Sequence, residues 1–317
     1  MLLGAACESE PRVPYISPKL ENWPQPYRGV AGLKLHAFTT GYLSMPEALL
    51  FRGGSLTRSR HVPVPAFVIE HPKQGLVLFG TGLDPSWAQE TGSTGFGLLG
   101  PEPHAVAGGD LRSQMQQVGL QPAAVRWIVL SSLQRQHAGE VEAFPEARVV
   151  TATAEREALG QDGADLELVD DVLSWKYVDF DNAKPLATLP AAVDLFGDGS
   201  LVVLDVRGAT PGTMALLVRL PRAPVLLAGE LIVLREQLRF VVQPAAAANR
   251  AEWWDRAWRL KRFQDLVPEL SVVPGYDLTP LEARVGRDVK VHAPPKVEVP
   301  QKPTPTKGPL ERLLPRR

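Results

Sequence analysis

Short apolar runs that end in turns recur along the middle of the chain and predict β-strands. The segment Gly32 to Phe38 alternates apolar and polar residues as a half-buried strand does. Two further runs, Pro63 to Ile69 and Gly75 to Phe79, flank the turn His71-Pro72-Lys73-Gln74 and predict a hairpin. The run Trp127 to Leu130 predicts a buried strand, and it stops abruptly at a polar cluster. Sites in α/β proteins commonly lie at such strand ends.

Capping residues predict two helices between later strands. Asp110 can cap a short helix through Val118, and Asn249, with Glu252 three residues on, can cap a longer helix through Val267. The tryptophans of that longer helix, Trp254 and Trp258, are expected to pack in the core. Strands are predicted at Ala147 to Thr151 and, around an Asp-Gly turn, over Leu195 to Leu204. Interleaved strands and helices favour an α/β fold.

Composition excludes several function classes. With 317 residues, of which 44% are hydrophobic, the chain can build one large domain or two small ones. The net charge of -1 gives no global attraction to nucleic acid, so no nucleic-acid partner is expected. No run of about 18 apolar residues occurs, so no membrane span is predicted.

The single cysteine, Cys7, excludes an internal disulfide and a cysteine-based metal cluster. Its context, Leu2-Leu3-Gly4-Ala5-Ala6-Cys7, is similar to the end of a bacterial lipoprotein signal. That reading implies a start upstream of Met1, a lipid anchor at Cys7 as the one membrane contact, and a location in the bacterial cell envelope. The alternative is an ordinary N-terminus of a cytoplasmic protein.

The segment Ile128 to Val150, IVLSSLQRQHAGEVEAFPEARVV, resembles the metal-binding motif of the metallo-β-lactamase superfamily. The likeness is greatest to its lactonase-like (N-acyl homoserine lactonase-like) hydrolases, where strand-S-H-x-H-x-D-H-A-G-G is followed by F-P and a strand. Four other segments follow the family's order: Gly80-Thr81-Gly82, Arg207 to Val218, Pro224 to Glu230 and Leu270 to Asp277.

This resemblance implies an α/β fold of the αββα metallo-β-lactamase type, with extended N- and C-terminal tails. The five segments are then expected to converge at one edge of the sandwich. The implied boundaries are an N-terminal tether at 1–31, a metallo-β-lactamase-like domain at 32–285, and a basic, Pro-rich, disordered tail at 286–317.

Most residues at the family's ligand positions are unsuited to a metal. Read residue by residue, seven positions would line a degenerate cleft: Ser132, Gln134, Gln136, His137, Ala209, Glu230 and Tyr276. Hydroxyl and amide groups are poor ligands for Zn²⁺, and an alanine has no ligand atom. Gly80 also stands where the family's D-T-G turn has an acidic residue. No metal cofactor is therefore expected, and any zinc would depend on His137 and Glu230.

Three functions remain open. The first is a metal-free pseudoenzyme whose vestigial cleft is vacant or binds a small molecule or a protein partner. The second is an active lactone or ester hydrolase with an atypical zinc site built from His137, Glu230, Tyr276 and Gln136. The third is metal-independent catalysis by Ser131 or Ser132, with His137 as the base and Glu230 to orient it.

Overall fold

Two β-sheets packed face to face form the centre of the fold. The structure, a computed structural model, describes residues 17–87, 100–105, 108–159 and 169–293. Cys7 and the tail from residue 294 onward lie outside the described residues, so the anchor and tail predictions stay predictions. Among the helices that are described, none has the length and apolar character needed to cross a membrane.

The first sheet has eight strands, and the second has six. The strands of the first sheet are β1 (Lys34–Pro46), β2 (Ser59–His71), β3 (Gly75–Phe79), β4 (Glu102–His104), β5 (Val125–Val129), β6 (Arg148–Ala152), β7 (Trp175–Val178) and β14 (Val289–Val291). Their order is β14-β1-β2-β3-β5-β6-β7, with β4 pairing with β1. The strands of the second sheet are β8 (Lys184–Leu186), β9 (Leu189–Asp194), β10 (Leu201–Asp205), β11 (Met214–Val218), β12 (Val225–Leu227) and β13 (Ser271–Val273). They follow the order β13-β12-β11-β10-β9-β8.

Helices pack on the outer face of each sheet, and six α-helices lie in the described part of the chain. They are α1 (Leu111–Gln117), α2 (Arg135–Ala138), α3 (Thr153–Glu157), α4 (Arg235–Phe240), α5 (Arg250–Leu266) and α6 (Thr279–Glu282). The two predicted caps form, because the side chain of Asp110 accepts from the backbone of Ser113 at 2.7 Å and that of Asn249 accepts from Ala251 and Glu252.

Strand alternation divides the core into layers. In β1, Leu35 and Ala37 face the second sheet, where they join a cluster with Val203 and Leu216. The next residue, Phe38, faces the other way and packs in the cluster that includes Leu111 of α1. On the far side of the second sheet, α5 covers a third cluster. These layers are the predicted αββα sandwich, which is confirmed.

The five motif segments meet at one edge of the sandwich, as predicted. Thr81 donates its backbone N–H to the carbonyl oxygen of His137 at 2.7 Å, which joins the first two segments. Met214, within the segment Arg207 to Val218, donates its backbone N–H to the carbonyl oxygen of Ser131 at 2.9 Å. The fourth and fifth segments meet where the Tyr276 hydroxyl donates to Glu230 at 3.2 Å.

The packed body extends beyond residues 32–285. In the predicted tether, Trp23 is buried and packs edge-on against Phe263 of α5, with 4.9 Å between ring centroids. Glu21 and Ala187 exchange backbone hydrogen bonds of 2.8 and 2.7 Å. Beyond residue 285, β14 pairs in parallel with β1. Both segments are extended, but residues 17–31 and 286–293 are bound to the domain by apolar contacts and strand pairing.

Helix α5 is anchored by a different tryptophan from those singled out in the sequence. Trp253 is fully buried, whereas Trp254 and Trp258 are half-buried and stack on each other. The indole N–H of Trp253 donates to the carbonyl oxygen of Leu231 at 2.7 Å. The helix is therefore fixed to the turn that follows β12 by both packing and a hydrogen bond.

Replacing this anchor should destabilise the protein strongly. We expect Trp253→Ala to lower the free energy of unfolding by about 3–5 kcal/mol, because it leaves a large cavity and an unpaired carbonyl oxygen. Trp254→Ala is the matched control and should cost clearly less, because its ring is half-buried. Urea denaturation of both variants measures the difference. Equal losses would contradict the assigned anchor.

A buried carboxylic acid lies beneath the loop that follows α2. One oxygen of Glu140 accepts from the backbone N–H of Leu111 at 2.9 Å, while its other oxygen is buried without a hydrogen-bond partner in the described part of the chain. Burial, followed by repulsion from Asp110, raises the pKa of Glu140 to about 8. The side chain is therefore largely protonated at neutral pH.

This raised pKa predicts how stability changes with pH. The folded state holds a proton on Glu140 that the unfolded chain releases near its ordinary pKa of 4.5. The contribution of Glu140 to the free energy of unfolding is therefore complete below pH 4.5. It is lost progressively as the pH rises toward about 8. Glu140→Gln should remove this loss and gain stability relative to the native protein at alkaline pH. Thermal or urea unfolding at several pH values is the measurement, and parallel pH profiles would refute the assignment.

Candidate functional site

The Glu230 carboxylate is the centre of the candidate site. It follows β12 on a 3-10 turn at 229–231, where Gly229 adopts a left-handed φ of 53°. A side chain at Gly229 would collide with Ser131, so the turn requires glycine. Three side chains donate to the Oε1 atom of Glu230: His137 Nε2 at 2.5 Å, Gln136 Nε2 at 3.1 Å and the Tyr276 hydroxyl at 3.2 Å.

His137 and Gln136 are positioned by the short helix α2. This helix begins at Arg135, five residues after Leu130, because the chain bends through the four residues between them. The carbonyl oxygen of His137 accepts from the backbone and the hydroxyl of Thr81, at 2.7 and 3.2 Å. The amide of Gln136 also donates to Gln134 Oε1 at 2.7 Å. The polar cluster is thus held by the first sheet and faces a carboxylate from the second.

Tyr276 reaches the site from the turn after β13. The backbone N–H groups of Gly275 and Tyr276 donate to Ile232 and Val233 at 2.8 and 2.9 Å, which fixes this turn against the segment following Glu230. Burial, the negative charge of Glu230 and the hydrogen bond to it raise the pKa of Tyr276 well above its ordinary value. The phenol therefore keeps its proton and serves as a hydrogen-bond donor.

Glu230 is ionised despite its burial. Burial alone would raise its pKa, but the hydrogen bond and charge of His137, with the hydrogen bonds of Gln136 and Tyr276, outweigh it and hold the pKa of Glu230 below its ordinary value. A buried carboxylate with three converging donors is the strongest electrostatic feature of this edge.

A cavity of about 350 Å³ opens beside Glu230. Its polar side chains are gathered at one end and include four of the predicted cleft residues: Gln134, Gln136, Glu230 and Tyr276. A fifth, Ala209, also lines it, next to Thr210. The remaining wall is largely apolar: Leu43, Met45, Leu49, Leu50, Trp87, Pro101, Val233, Pro244, Ala245 and Ala246. The arrangement suits a ligand with one polar end and an apolar body.

The two remaining predicted residues lie behind the cavity. His137 contacts Glu230 but does not line the cavity, and Ser132 is fully buried. The hydroxyls of Ser131 and Ser132 have no hydrogen-bond partner in the described part of the structure. The His137–Glu230 bond that the serine-nucleophile hypothesis requires is present, but neither serine hydroxyl is hydrogen-bonded to His137, so the structure lacks the contact between nucleophile and base.

The sequence analysis missed Glu155, which supports the site from beneath. This buried residue of α3 accepts from the backbone of Leu133 at 3.0 Å, the hydroxyl of Thr210 at 2.6 Å and the backbone of Gly212 at 2.9 Å. It therefore joins two of the motif segments. The one local signal was a carboxylate shortly after the strand predicted at Ala147 to Thr151. The groups that donate hydrogen bonds to Glu155 are more than 20 residues away in either direction.

Metal ligation has few candidates here. Over the described ranges, no group of three or more His, Cys, Asp and Glu side chains is arranged to hold a metal ion. At the candidate site, the two side chains of these types, His137 and Glu230, are hydrogen-bonded to each other.

Comparisons with known proteins agree with this architecture. The family model of the metallo-beta-lactamase superfamily matches residues 60–275. Among curated proteins, the chain is 26% identical over 230 residues to the N-acyl homoserine lactonase AttM of Rhizobium radiobacter, covering 68% of this chain and 82% of that protein. It is 28% identical over 181 residues to AttM of Azorhizobium caulinodans, covering 52% of this chain and 63% of that protein.

Solved structures show the same fold. AiiA of B. thuringiensis, in a mutant with N-decanoyl-L-homoserine bound at its active site, superposes with a TM-score of 0.68 at 18% identity, covering 79% of this chain and 95% of that one. The dizinc quorum-quenching lactonase AidC superposes with a TM-score of 0.53 at 15% identity, covering 80% and 91%. With its two sheets, its converging strand ends and the family model that matches residues 60–275, the chain belongs to the metallo-β-lactamase superfamily.

Proposed function

We propose that this protein is a metal-free pseudoenzyme of the lactonase-like branch, and that its vestigial cleft binds a small molecule. The observation that carries the proposal is the hydrogen bonding of Glu230. Three side-chain donors converge on one of its oxygens, and two of them, Gln136 and Tyr276, are neutral groups. A carboxylate that side chains of the protein already hold by three hydrogen bonds has less need of a metal.

The available donors do not suit zinc. A hydrolytic zinc site needs about three good protein ligands and an open position for water. The amides of Gln134 and Gln136 are bonded to each other, Ala209 offers a methyl group, and the raised pKa of Tyr276 disfavours a phenolate ligand. His137 and Glu230 alone leave a site too weak to hold zinc at ordinary concentrations.

An active lactone or ester hydrolase is the second candidate. It is favoured by the names of the relatives, which are N-acyl homoserine lactonases, and by the cavity beside Glu230. It requires the pair His137 and Glu230 to separate and to take a metal together with Gln136 and Tyr276. The concave shape of the cavity favours a small molecule as the occupant, and a protein partner is the other ligand to be considered.

Metal content distinguishes the two candidates. We expect the purified protein to contain well under one equivalent of zinc, measured by plasma mass spectrometry. Added zinc should raise the melting temperature little, because stabilisation follows RT ln(1 + [L]/Kd) and a two-ligand site has a large Kd.

A restored site provides the matched control. The combined substitutions Ser132→His, Gln134→His, Gln136→Asp, Ala209→His and Tyr276→His should recover zinc binding if the scaffold keeps its geometry. The acidic residue absent at Gly80 is a further supporting change. Stoichiometric zinc in the native protein, with lactonase or esterase activity that disappears in His137→Ala, would overturn the proposal in favour of the hydrolase.

A further inference from the structure

We infer that the ligand of the cavity beside Glu230 is an organic cation: a small, largely apolar molecule that carries a protonated amine. This inference rests on the proposed function, because it assumes that no metal occupies the polar end of the cavity. It specifies the class of ligand, which the proposed function leaves open.

The charges that line the cavity have one sign. Of the described side chains that line it, Glu230 alone carries a full charge, and no Lys, Arg or His is among them. His137 contacts the Oε1 atom of Glu230 and does not line the cavity. Arg135 lies over the Trp87 ring at 5.8 Å and does not line the cavity. An anionic ligand would therefore meet a carboxylate, while a cation would meet its counter-ion.

The hydrogen-bonding groups around Glu230 also favour a ligand that donates a hydrogen bond. All three donors to Glu230 reach Oε1, and the structure gives no described side chain or backbone group that donates to Oε2. The hydroxyl of Tyr276 and the amide of Gln136 are already directed at Oε1. Gln136 also donates to Gln134 Oε1. The acceptors that remain at the polar end include the second carboxylate oxygen of Glu230, beside the amide N–H groups of Gln134, so a ligand that brings its own N–H group finds a charged acceptor there.

The rest of the wall suits the organic part of such a ligand. Trp87 and Tyr276 supply aromatic rings, and Leu43, Met45 and Val233 supply aliphatic surface. Aromatic and aliphatic walls of this kind bury hydrocarbon. The volume of about 350 Å³ is at the small end for ligand sites, so it fits one ring with a short chain better than a long acyl chain.

The test uses three probes of one shape. Titration calorimetry at low salt would compare 3-phenylpropylamine, 3-phenyl-1-propanol and 3-phenylpropanoate, which differ in a cationic, neutral or anionic head. We expect the amine to bind about tenfold more tightly than the alcohol, because a charge-assisted hydrogen bond is stronger than a neutral one. The carboxylate should bind more weakly than either.

Variants connect the preference to Glu230. In Glu230→Gln, the amine should lose its roughly tenfold advantage while the alcohol still binds. In Gln134→Glu, the acceptor for Gln136 is kept and a second negative charge is added, so the advantage of the amine should grow. Glu236→Gln on the exposed side of α4 removes a carboxylate that does not line the cavity and should leave all three affinities unchanged. If Glu230→Gln fails to fold, Gln134→Glu decides the question.

The outcomes separate this inference from the proposed function. Equal binding of amine and alcohol, or tighter binding of the carboxylate, would refute the organic cation while leaving a metal-free binding cleft intact. If none of the three probes binds to the folded protein, both the inference and the ligand-binding proposal fail. An amine preference that survives Glu230→Gln would also overturn the inference, because the attraction would then come from elsewhere.

Discussion

The hydrogen bond between His137 and Glu230 is the contact on which the candidate site depends. The histidine lies in α2, which follows β5 of the first sheet, and the glutamate follows β12 of the second. The bond of 2.5 Å therefore joins the two sheets at the edge where the motif segments converge. In the proposed metal-free protein, this bond and those from Gln136 and Tyr276 hold together loops that a metal would otherwise connect.

Two buried carboxyl groups at this edge differ in protonation state because they receive different hydrogen bonds and face different charges. Glu230 receives three side-chain donors, which outweigh burial and hold its pKa below the ordinary value. Glu140 has fewer donors and the carboxylate of Asp110 nearby, so burial prevails and its pKa rises to about 8. The same residue type thus gives a fixed charge at the cavity and a neutral acid beneath the loop.

Sequence reasoning succeeded where the determining interactions are local. The caps at Asp110 and Asn249 depend on neighbours two or three residues away, and both form. The segment around Trp23 and the strand β14 were assigned to tails because their neighbours are rich in proline or basic residues. The ring contact with Phe263 holds Trp23 in place, and pairing with β1 holds β14 in place. Both partners are remote in sequence. Ser132 was expected in the cleft, but it lies buried behind it.

The resemblance that identified the family is carried mainly by residues that shape turns, and this explains why fold is easier to infer than chemistry. Gly229 must adopt a left-handed φ next to Ser131, and Gly208, with φ of 127°, packs against the backbone of Trp253. Such positions constrain the chain whether or not a metal is bound. Residues whose sole task is to bind a metal can change without loss of the fold, provided that other contacts replace the ones a metal made. Glu230 has contacts of this kind, because His137, Gln136 and Tyr276 all donate to one of its oxygens.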